Sequence, residues 1–203
     1  MKVTHGDLHS LGFTLVELLV SISIFTIITT IAVMNHAQFN SSILLTNLAY
    51  EIGLSIRQAQ VYGITVKQST TDSSKFDSGY GIHFDLSQVG GSGTTYKLFE
   101  DVNVGGLVDH VYSNVTDEDI EMFRIQKGNS ISGIYVNGDE ASQPVVDISF
   151  IRPNPEAYIM VSGTRYSKAE ICIKSPQGTK RKVVVEISGQ ISVVADNVNI
   201  CSN

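Results

Sequence analysis

The distribution of apolar residues sets the N-terminal part of the chain apart from the rest. From Phe13 to Met34 the residues are largely apolar, and Glu17 is the one ionisable side chain among them. As a helix this segment would be roughly 33 Å long, at about 1.5 Å per residue, which is enough to cross the hydrocarbon core of a membrane. Secretory signals have a shorter apolar region, of about 7–15 residues, so the pattern favours a retained transmembrane helix.

A helical pattern continues beyond this segment with a different spacing. Apolar or small residues recur three and four positions apart, and polar residues lie off that stripe. The stripe consists of Leu45, Leu48, Ile52, Ile56, Ala59 and Gly63. The pattern predicts a continuous or slightly kinked helix from about Phe13 to Val66, whose second half packs its stripe into the core. A groove for a partner is the alternative reading of the same stripe.

After a polar loop at 68–75 the pattern shortens to the alternation typical of strands. Turn residues separate these strands, and Asn137-Gly138 and Ser188-Gly189 are clear examples. The predicted strands are Tyr80–Asp85, Thr95–Glu100, Ile120–Gln126, Ile131–Val136, Val145–Arg152, Ala157–Val161, Ala169–Lys174, Lys182–Ser188 and Gln190–Val194. We therefore expect an α+β fold in which a long N-terminal helix packs on one antiparallel β-sheet.

Composition and charge exclude several classes of protein. The chain of 203 residues has 14 Lys+Arg against 20 Asp+Glu, a net charge of -6, which argues against a protein that coats nucleic acid. Its 2 cysteines exclude a disulfide-dense scaffold and a cysteine-rich zinc module. The common nucleophile, zinc-protease and phosphate-loop motifs are missing from the sequence, so we expect neither an enzyme nor a cofactor. A membrane-associated protein with one soluble domain remains.

Glu17 requires an explanation, because an acidic side chain in a membrane span costs a few kcal/mol. Snorkelling to water at the membrane edge is one explanation. The surrounding residues, Leu11-Gly12-Phe13-Thr14-Leu15-Val16-Glu17, offer another, since they resemble the cleavage and methylation site of type IV prepilins and pseudopilins. The resemblance implies that prepilin peptidase cuts between Gly12 and Phe13 and N-methylates Phe13. It further implies that Glu17 serves assembly by meeting the new amino group of a neighbouring subunit.

The resemblance also implies a domain organisation. Residues 1–12 would be a cleaved leader, 13–34 the transmembrane and filament-core helix, 35–66 an amphipathic stalk helix, and 67–203 the β-rich soluble domain. The leader carries only Lys2 as a fixed positive charge, offset by Asp7. A single-pass orientation in the cytoplasmic membrane, with the soluble domain outside the cytoplasm, is therefore implied chiefly by the motif.

The function implied by the resemblance is structural. The chain would be a minor pilin or pseudopilin of a type IV pilus, competence or type II secretion filament, with prepilin peptidase, the membrane and other subunits as its partners. Gly79–Asp85 resembles the first sheet strand of many prepilin-like proteins, and Lys182–Val193 resembles the terminal hairpin of the GspH/FimT-like branch of this family. The alternative is a membrane-tethered adhesin or ligand-binding module, including one for DNA uptake, although we expect no nucleic-acid partner.

Three further groups of residues are candidates for chemistry. Cys172 and Cys201 are expected to form a disulfide, as pilins often do near the C-terminus, with a buried thiol and a free tail thiol as the alternative. The acidic residues from Glu100 to Glu121 are expected to form a solvated loop rather than a calcium site, because an EF-hand-like start at Asp101 lacks its closing glutamate. Lys180-Arg181-Lys182 is expected to be an exposed strand start rather than a DNA contact.

Overall fold

A computed structural model describes residues 12–65, 69, 78–87, 93–102, 108–195 and 201, apart from the side chains of 34–39 and 195. The described residues form two units, divided between Asn40 and Ser41. Their regular elements are one helix, α1 (Leu15–Ile64), and ten strands. The strands are β1 (Gly79–Asp85), β2 (Thr95–Asp101), β3 (Glu118–Arg124), β4 (Ser130–Val136), β5 (Val145–Phe150), β6 (Tyr158–Val161), β7 (Thr164–Tyr166), β8 (Lys168–Lys174), β9 (Lys180–Glu186) and β10 (Ile191–Ala195).

Thr14 is the N-cap of α1. Its carbonyl accepts the first helical hydrogen bond from the Leu18 amide at 3.1 Å, and its Oγ1 accepts a hydrogen bond from the Glu17 amide at 3.3 Å. A threonine followed three residues later by glutamate is the sequence pattern of a capping box, and a negative charge in the first turn also suits the positive end of the helix dipole. The predicted helix is therefore confirmed, with slightly shorter ends.

The expected α+β fold with antiparallel strands is confirmed, but the strands form two sheets where we expected one. The first has six strands in the order β3-β2-β1-β5-β6-β7, and the second has four in the order β10-β9-β8-β4. Alternation along the chain identifies strands but not their partners, and it could not show that β4 pairs with β8 instead of β5. The short strand β7 was missed because it has only three residues, directly after a turn at Ser162-Gly163 in which both residues have positive φ.

The apolar stripe of α1 forms the centre of the core. Five of its members are buried, namely Leu45, Leu48, Ile52, Ile56 and Ala59, and they belong to one cluster with residues of both sheets, such as Phe84 and Val183. The sixth member, Gly63, lies so close to β5 that an added Cβ would be 2.3 Å from the carbonyl oxygen of Phe150. The prediction that this stripe packs into the core is confirmed.

Two predicted turns are also confirmed. Asn137 and Gly138 have φ values of 50° and 82°, and the Asp139 amide donates to the Val136 carbonyl at 2.9 Å. Gly189, with a φ of 81°, lies in the turn that joins β9 and β10 into the expected terminal hairpin. Positive φ at these positions is the reason that glycine and asparagine occur there.

Candidate functional site

The N-terminal half of α1 presents its apolar side chains without cover. Leu15–Val33 has a mean hydropathy of 2.2 and none of its residues is buried, so by length and composition this helix could cross a membrane. Phe25, for example, is 71% exposed. Apolar surface on this scale is costly in water, at about 25 cal/mol per Å², and therefore needs lipid or other protein around it.

The hydroxyl groups in this segment are satisfied by the helix itself. Each donates a hydrogen bond to the carbonyl oxygen four residues earlier, and the five residues concerned are Ser21, Ser23, Thr26, Thr29 and Thr30. A hydroxyl without a partner is expensive to place in hydrocarbon. The serine and threonine residues of this segment are thus compatible with an apolar environment.

The residues expected to be processed lie just before the helix. Phe13 is 75% exposed, and a Cβ added to Gly12 would have no atom within 4 Å. Glu17 lies in the first turn of α1, with its amide capped by Thr14. Gly12 and Phe13 are therefore open to an external enzyme, while pairing between Glu17 and another subunit stays a prediction.

A second exposed surface lies on the C-terminal half of α1, and we call it the exposed helix face. Its members occur at alternating intervals of four and three residues and are exposed: Ile43, Asn47, Tyr50, Leu54, Arg57, Val61 and Ile64. Leu54 is 69% exposed and Tyr50 is 57% exposed. An average spacing of about 3.5 residues is what one helix uses to pack along another. This face was not predicted from the sequence, because the buried stripe on the same helix has a similar three-and-four spacing and we interpreted it as the one apolar face. The spacing of the exposed residues could have indicated the second face.

The outer face of the six-stranded sheet carries a buried polar layer. His83 on β1 and Asp147 on β5 are cross-strand partners, and the His83 Nδ1 lies 2.7 Å from the Asp147 Oδ1. The His110 Nδ1 lies 3.0 Å from the Ser149 Oγ, and its ring stacks on Tyr158 at 3.6 Å between centroids. Sequence analysis missed this layer because cross-strand contacts depend on the pairing of β1 with β5.

The acidic stretch that contributes to this layer is not a solvated loop throughout, and that expectation is wrong at its first two residues. Glu100 is 0% exposed and Asp101 is 1% exposed. Asp117 is half-buried, and its carboxylate accepts hydrogen bonds from the Ser113 amide at 2.7 Å and the Val102 amide at 3.1 Å. Within the described ranges no group of three or more His, Cys, Asp or Glu side chains is placed to hold a metal ion.

Burial governs protonation in this layer. Burial, reinforced by the charges of Asp117 and Asp109, raises the pKa of Asp101 to about 8. Burial and the nearby charge of Arg165 lower the pKa of His110 to about 4. The His110 Nδ1 and the Asp101 Oδ2 are 3.9 Å apart, which is too long for a hydrogen bond. At neutral pH the two groups are therefore a carboxylic acid and a neutral imidazole rather than an ion pair.

Ser149, His110 and Asp101 do not form a catalytic triad. In a triad the carboxyl group and the serine contact opposite nitrogens of the imidazole. Here both approach Nδ1, at 3.9 Å for Asp101 and 3.0 Å for Ser149, and Ser149 is 0% exposed. The arrangement positions a loop and offers no accessible nucleophile.

Cys172 and Cys201 form a disulfide with a Cα–Cα distance of 5.9 Å and a sequence separation of 29. With Tyr135 the two half-cystines make a small buried cluster apart from the main core. The Lys180 Nζ donates to the Cys201 carbonyl at 2.7 Å. The disulfide therefore ties the chain near its C-terminus to β8.

The basic run is not an exposed strand start, so that expectation is wrong. Lys182 is 5% exposed, and its Nζ lies 3.2 Å from the Glu170 Oε2. A guanidinium nitrogen of Arg181 donates to the Ser42 Oγ at 3.4 Å. Since Lys180 also contacts the Cys201 carbonyl, all three cations bind groups of their own chain.

The comparison with protein families finds a known motif in the N-terminal sequence. Residues 8–33 match the prokaryotic N-terminal methylation motif. The comparisons with curated proteins and with solved structures found no match. The N-terminal segment thus carries a motif that supports the resemblance to type IV prepilins, and the α+β fold is consistent with a pilin-like architecture. Assignment to the GspH/FimT-like branch stays a prediction.

Proposed function

We propose that this protein is a structural subunit, a minor pilin or pseudopilin, of a type IV pilus, competence or type II secretion filament. One observation carries the proposal: the methylation motif at 8–33 includes the apolar helical segment Leu15–Val33, none of which is buried. A helix of this kind can lie in the membrane first and among the helices of other subunits afterwards, because both environments are apolar.

In this proposal prepilin peptidase acts at the exposed junction of Gly12 and Phe13. Residues 1–12 leave as the leader, and Phe13 receives the methyl group. The new amino group lies one helical turn from Glu17, so a neighbouring chain can bring the opposite charges together. Each charge is costly alone in an apolar environment, and pairing offsets part of that cost. Residues 13–34 and 35–66 then act as filament core and stalk, with 67–203 displayed outside.

The exposed helix face supplies a second surface for assembly. Its three-and-four spacing suits packing against a helix, and Leu54 and Tyr50 are large apolar side chains left more than half exposed. The competing proposal, a tethered adhesin or DNA-uptake module, has less support, because Lys180, Arg181 and Lys182 bind groups of the same chain.

Processing is tested by expressing the chain with a prepilin peptidase and measuring intact mass and N-terminal sequence. We expect a product that lacks 1–12, starts at Phe13 and is heavier by one methyl group. Gly12→Val should block cleavage, because the added side chain stands at the cleaved bond. An uncleaved wild-type chain in the presence of active peptidase would refute the proposal.

Assembly is tested in the source organism by asking whether processed chains enter the sheared filament fraction. Glu17→Ala and Leu54→Asp should be cleaved normally yet stay in the membrane. Glu140→Ala and Val115→Asp are matched controls, since both residues are exposed and lie outside α1. If processed wild-type chains also stayed in the membrane, the tethered-module alternative would be favoured. If Glu17→Ala entered filaments as wild type does, the assembly role of Glu17 would be wrong.

A further inference from the structure

Val108–Asp117 crosses the outer face of the six-stranded sheet, and we call this segment the strap. Carboxyl groups accept hydrogen bonds from three of its backbone amides. The His110 amide donates to the Asp101 Oδ2 at 2.9 Å, the Val111 amide to the Asp109 Oδ1 at 3.0 Å, and the Ser113 amide to the Asp117 Oδ2 at 2.7 Å. The Tyr112 backbone also faces the Asp147 carboxyl group. Two of these carboxyl groups belong to the sheet, Asp101 on β2 and Asp147 on β5. The strap is thus attached through ionisable side chains.

Two aromatic side chains of the strap complete the attachment. His110 stacks on Tyr158 at 3.6 Å. Tyr112 packs against His83 at 4.4 Å and against Phe99 at 5.3 Å between ring centroids. Both rings lie against polar or ionisable groups of the sheet. These ring contacts therefore add to the attachment that the carboxyl groups provide.

The carboxyl groups under the strap repel one another when they ionise. Asp101, buried and faced by Asp117, Asp109 and Asp147, has a pKa raised to about 8. Burial also raises the pKa of Asp147, against the effect of its bond to His83, and the pKa of Asp117. The docked strap therefore favours the protonated form of these groups.

The other charged groups near the strap act on its two rings. His110 faces Arg165 on β7, which together with burial lowers its pKa to about 4, while Asp109 opposes this shift. The Tyr112 hydroxyl accepts a hydrogen bond from the Lys97 Nζ at 2.8 Å. Lys97 also binds Asp119 at 2.7 Å, and this bond outweighs burial and lowers the pKa of Asp119. These contacts bind Tyr112 to the sheet in the neutral pH range.

We propose that the strap is a pH-dependent latch, bound to the sheet by a buried carboxylic acid at Asp101 and a neutral imidazole at His110, and released as the pH rises above neutrality. Release exposes the outer face of the sheet at Tyr158 and Ser149. This inference does not depend on the proposed role in filaments.

The direction in which pH changes the opening constant of the strap follows from the protons that opening takes up or releases. In the open strap Asp101 and His110 return to their ordinary pKa values of 3.8 and 6.5. Between about pH 5 and 6.5 opening releases a proton from Asp101 and adds one to His110, so these two residues change the opening constant only about twofold. Between about pH 6.5 and 8 opening still releases a proton from Asp101 but no longer adds one to His110. The opening constant therefore rises on the order of tenfold.

Hydrogen exchange by mass spectrometry on the full chain in detergent measures this opening. The amide exchange rate of a peptide covering the strap is measured at pH 5, 6.5 and 8. Dividing it by the intrinsic exchange rate at each pH gives the opening constant. A peptide covering β9 and β10 reports global unfolding in the same sample. We expect the strap to open more at pH 8 than at pH 6.5 while the hairpin stays protected.

Two variants separate the contributions of Asp101 and His110 to the pH dependence of opening. In Asp101→Asn the opening constant should fall on the order of 15-fold from pH 5 to 6.5 and only about twofold more up to pH 8, because His110 is the one residue of the pair that still titrates. In His110→Asn it should instead rise on the order of 30-fold over that interval. Asp117 and Asp147 contribute alike to both variants and to wild type, so the comparison between profiles isolates the two residues.

Asp139→Asn makes the same substitution at an exposed position outside the strap and should leave the wild-type profile unchanged. If the profile of Asp101→Asn ran parallel to wild type, the latch would be refuted. Should Asp101→Asn fail to fold, a His110→Asn profile that does not steepen between pH 5 and 6.5 would refute it alone.

Discussion

Two glycines in α1 should respond in opposite directions to the same substitution. Alanine is more favourable than glycine in a helix by about 1 kcal/mol. At Gly53 a new Cβ would lie 3.7 Å and 3.8 Å from methyl carbons of Val193 and Ile191, an ordinary packing distance. We therefore expect Gly53→Ala to stabilise the fold by about 0.5–1 kcal/mol.

Gly63 has no such room. An added Cβ would lie 2.3 Å from the carbonyl oxygen and 2.7 Å from the carbonyl carbon of Phe150, and Phe150 belongs to β5 in the centre of a sheet. Backbone atoms there cannot move aside as a flexible side chain could. Overpacking of this kind costs about 1–3 kcal/mol. We expect that cost to exceed the helical gain, so that Gly63→Ala is destabilising by about 1–2 kcal/mol.

Urea unfolding of the full chain in a mild detergent, followed by near-ultraviolet circular dichroism of the tyrosines, measures both variants. The difference between them should be about 1.5–3 kcal/mol, read as a shift of the transition midpoint at constant slope. The reasoning would be refuted if Gly63→Ala were as stable as Gly53→Ala. That result would mean that the end of α1 moves away from β5 at little cost.

Two further substitutions test interactions on the second sheet. Cys201→Ser should destabilise the fold by about 3–4 kcal/mol in the same urea assay, because the disulfide closes a loop with a sequence separation of 29; an unchanged midpoint would contradict this. Glu170→Gln should cost on the order of 2 kcal/mol, because it leaves the buried Lys182 ammonium without its carboxylate. Burial would raise the pKa of Glu170, but Lys168 and Lys182 outweigh it and lower the pKa below its ordinary 4.5. The wild type should therefore lose stability as the pH falls below about 5, and the loss should be smaller in the variant.

The helix and most strands could be predicted because local periodicity records burial. Leu45, Ile52 and Ala59 recur at helical intervals since one face of α1 meets the core. The methylation motif was equally readable, because its chemistry depends on adjacent residues. Neither prediction required knowledge of which segments meet in space.

The buried polar layer could not be predicted in the same way. His83 and Asp147 alternate with apolar residues in their strands, which is also the pattern of a solvent-exposed face. Only the pairing of β1 with β5 brings them together, and only the strap covers them. Asp101 stands in an acidic stretch that is typical of a solvated loop, yet it is 1% exposed. A contact set by tertiary structure leaves no periodic signal in the sequence.

The disulfide also determines how the domain bears tension. In the four-stranded sheet β8 lies between β9 and β4 and is hydrogen-bonded on both sides, whereas β10 is at the edge. A pull applied at Cys201 passes through the covalent bond to Cys172 in β8. The load therefore bypasses β10 and β9, which would otherwise unzip one hydrogen bond at a time from the edge. Mechanical resistance at this end of the chain is set by shearing an interior strand out of the sheet.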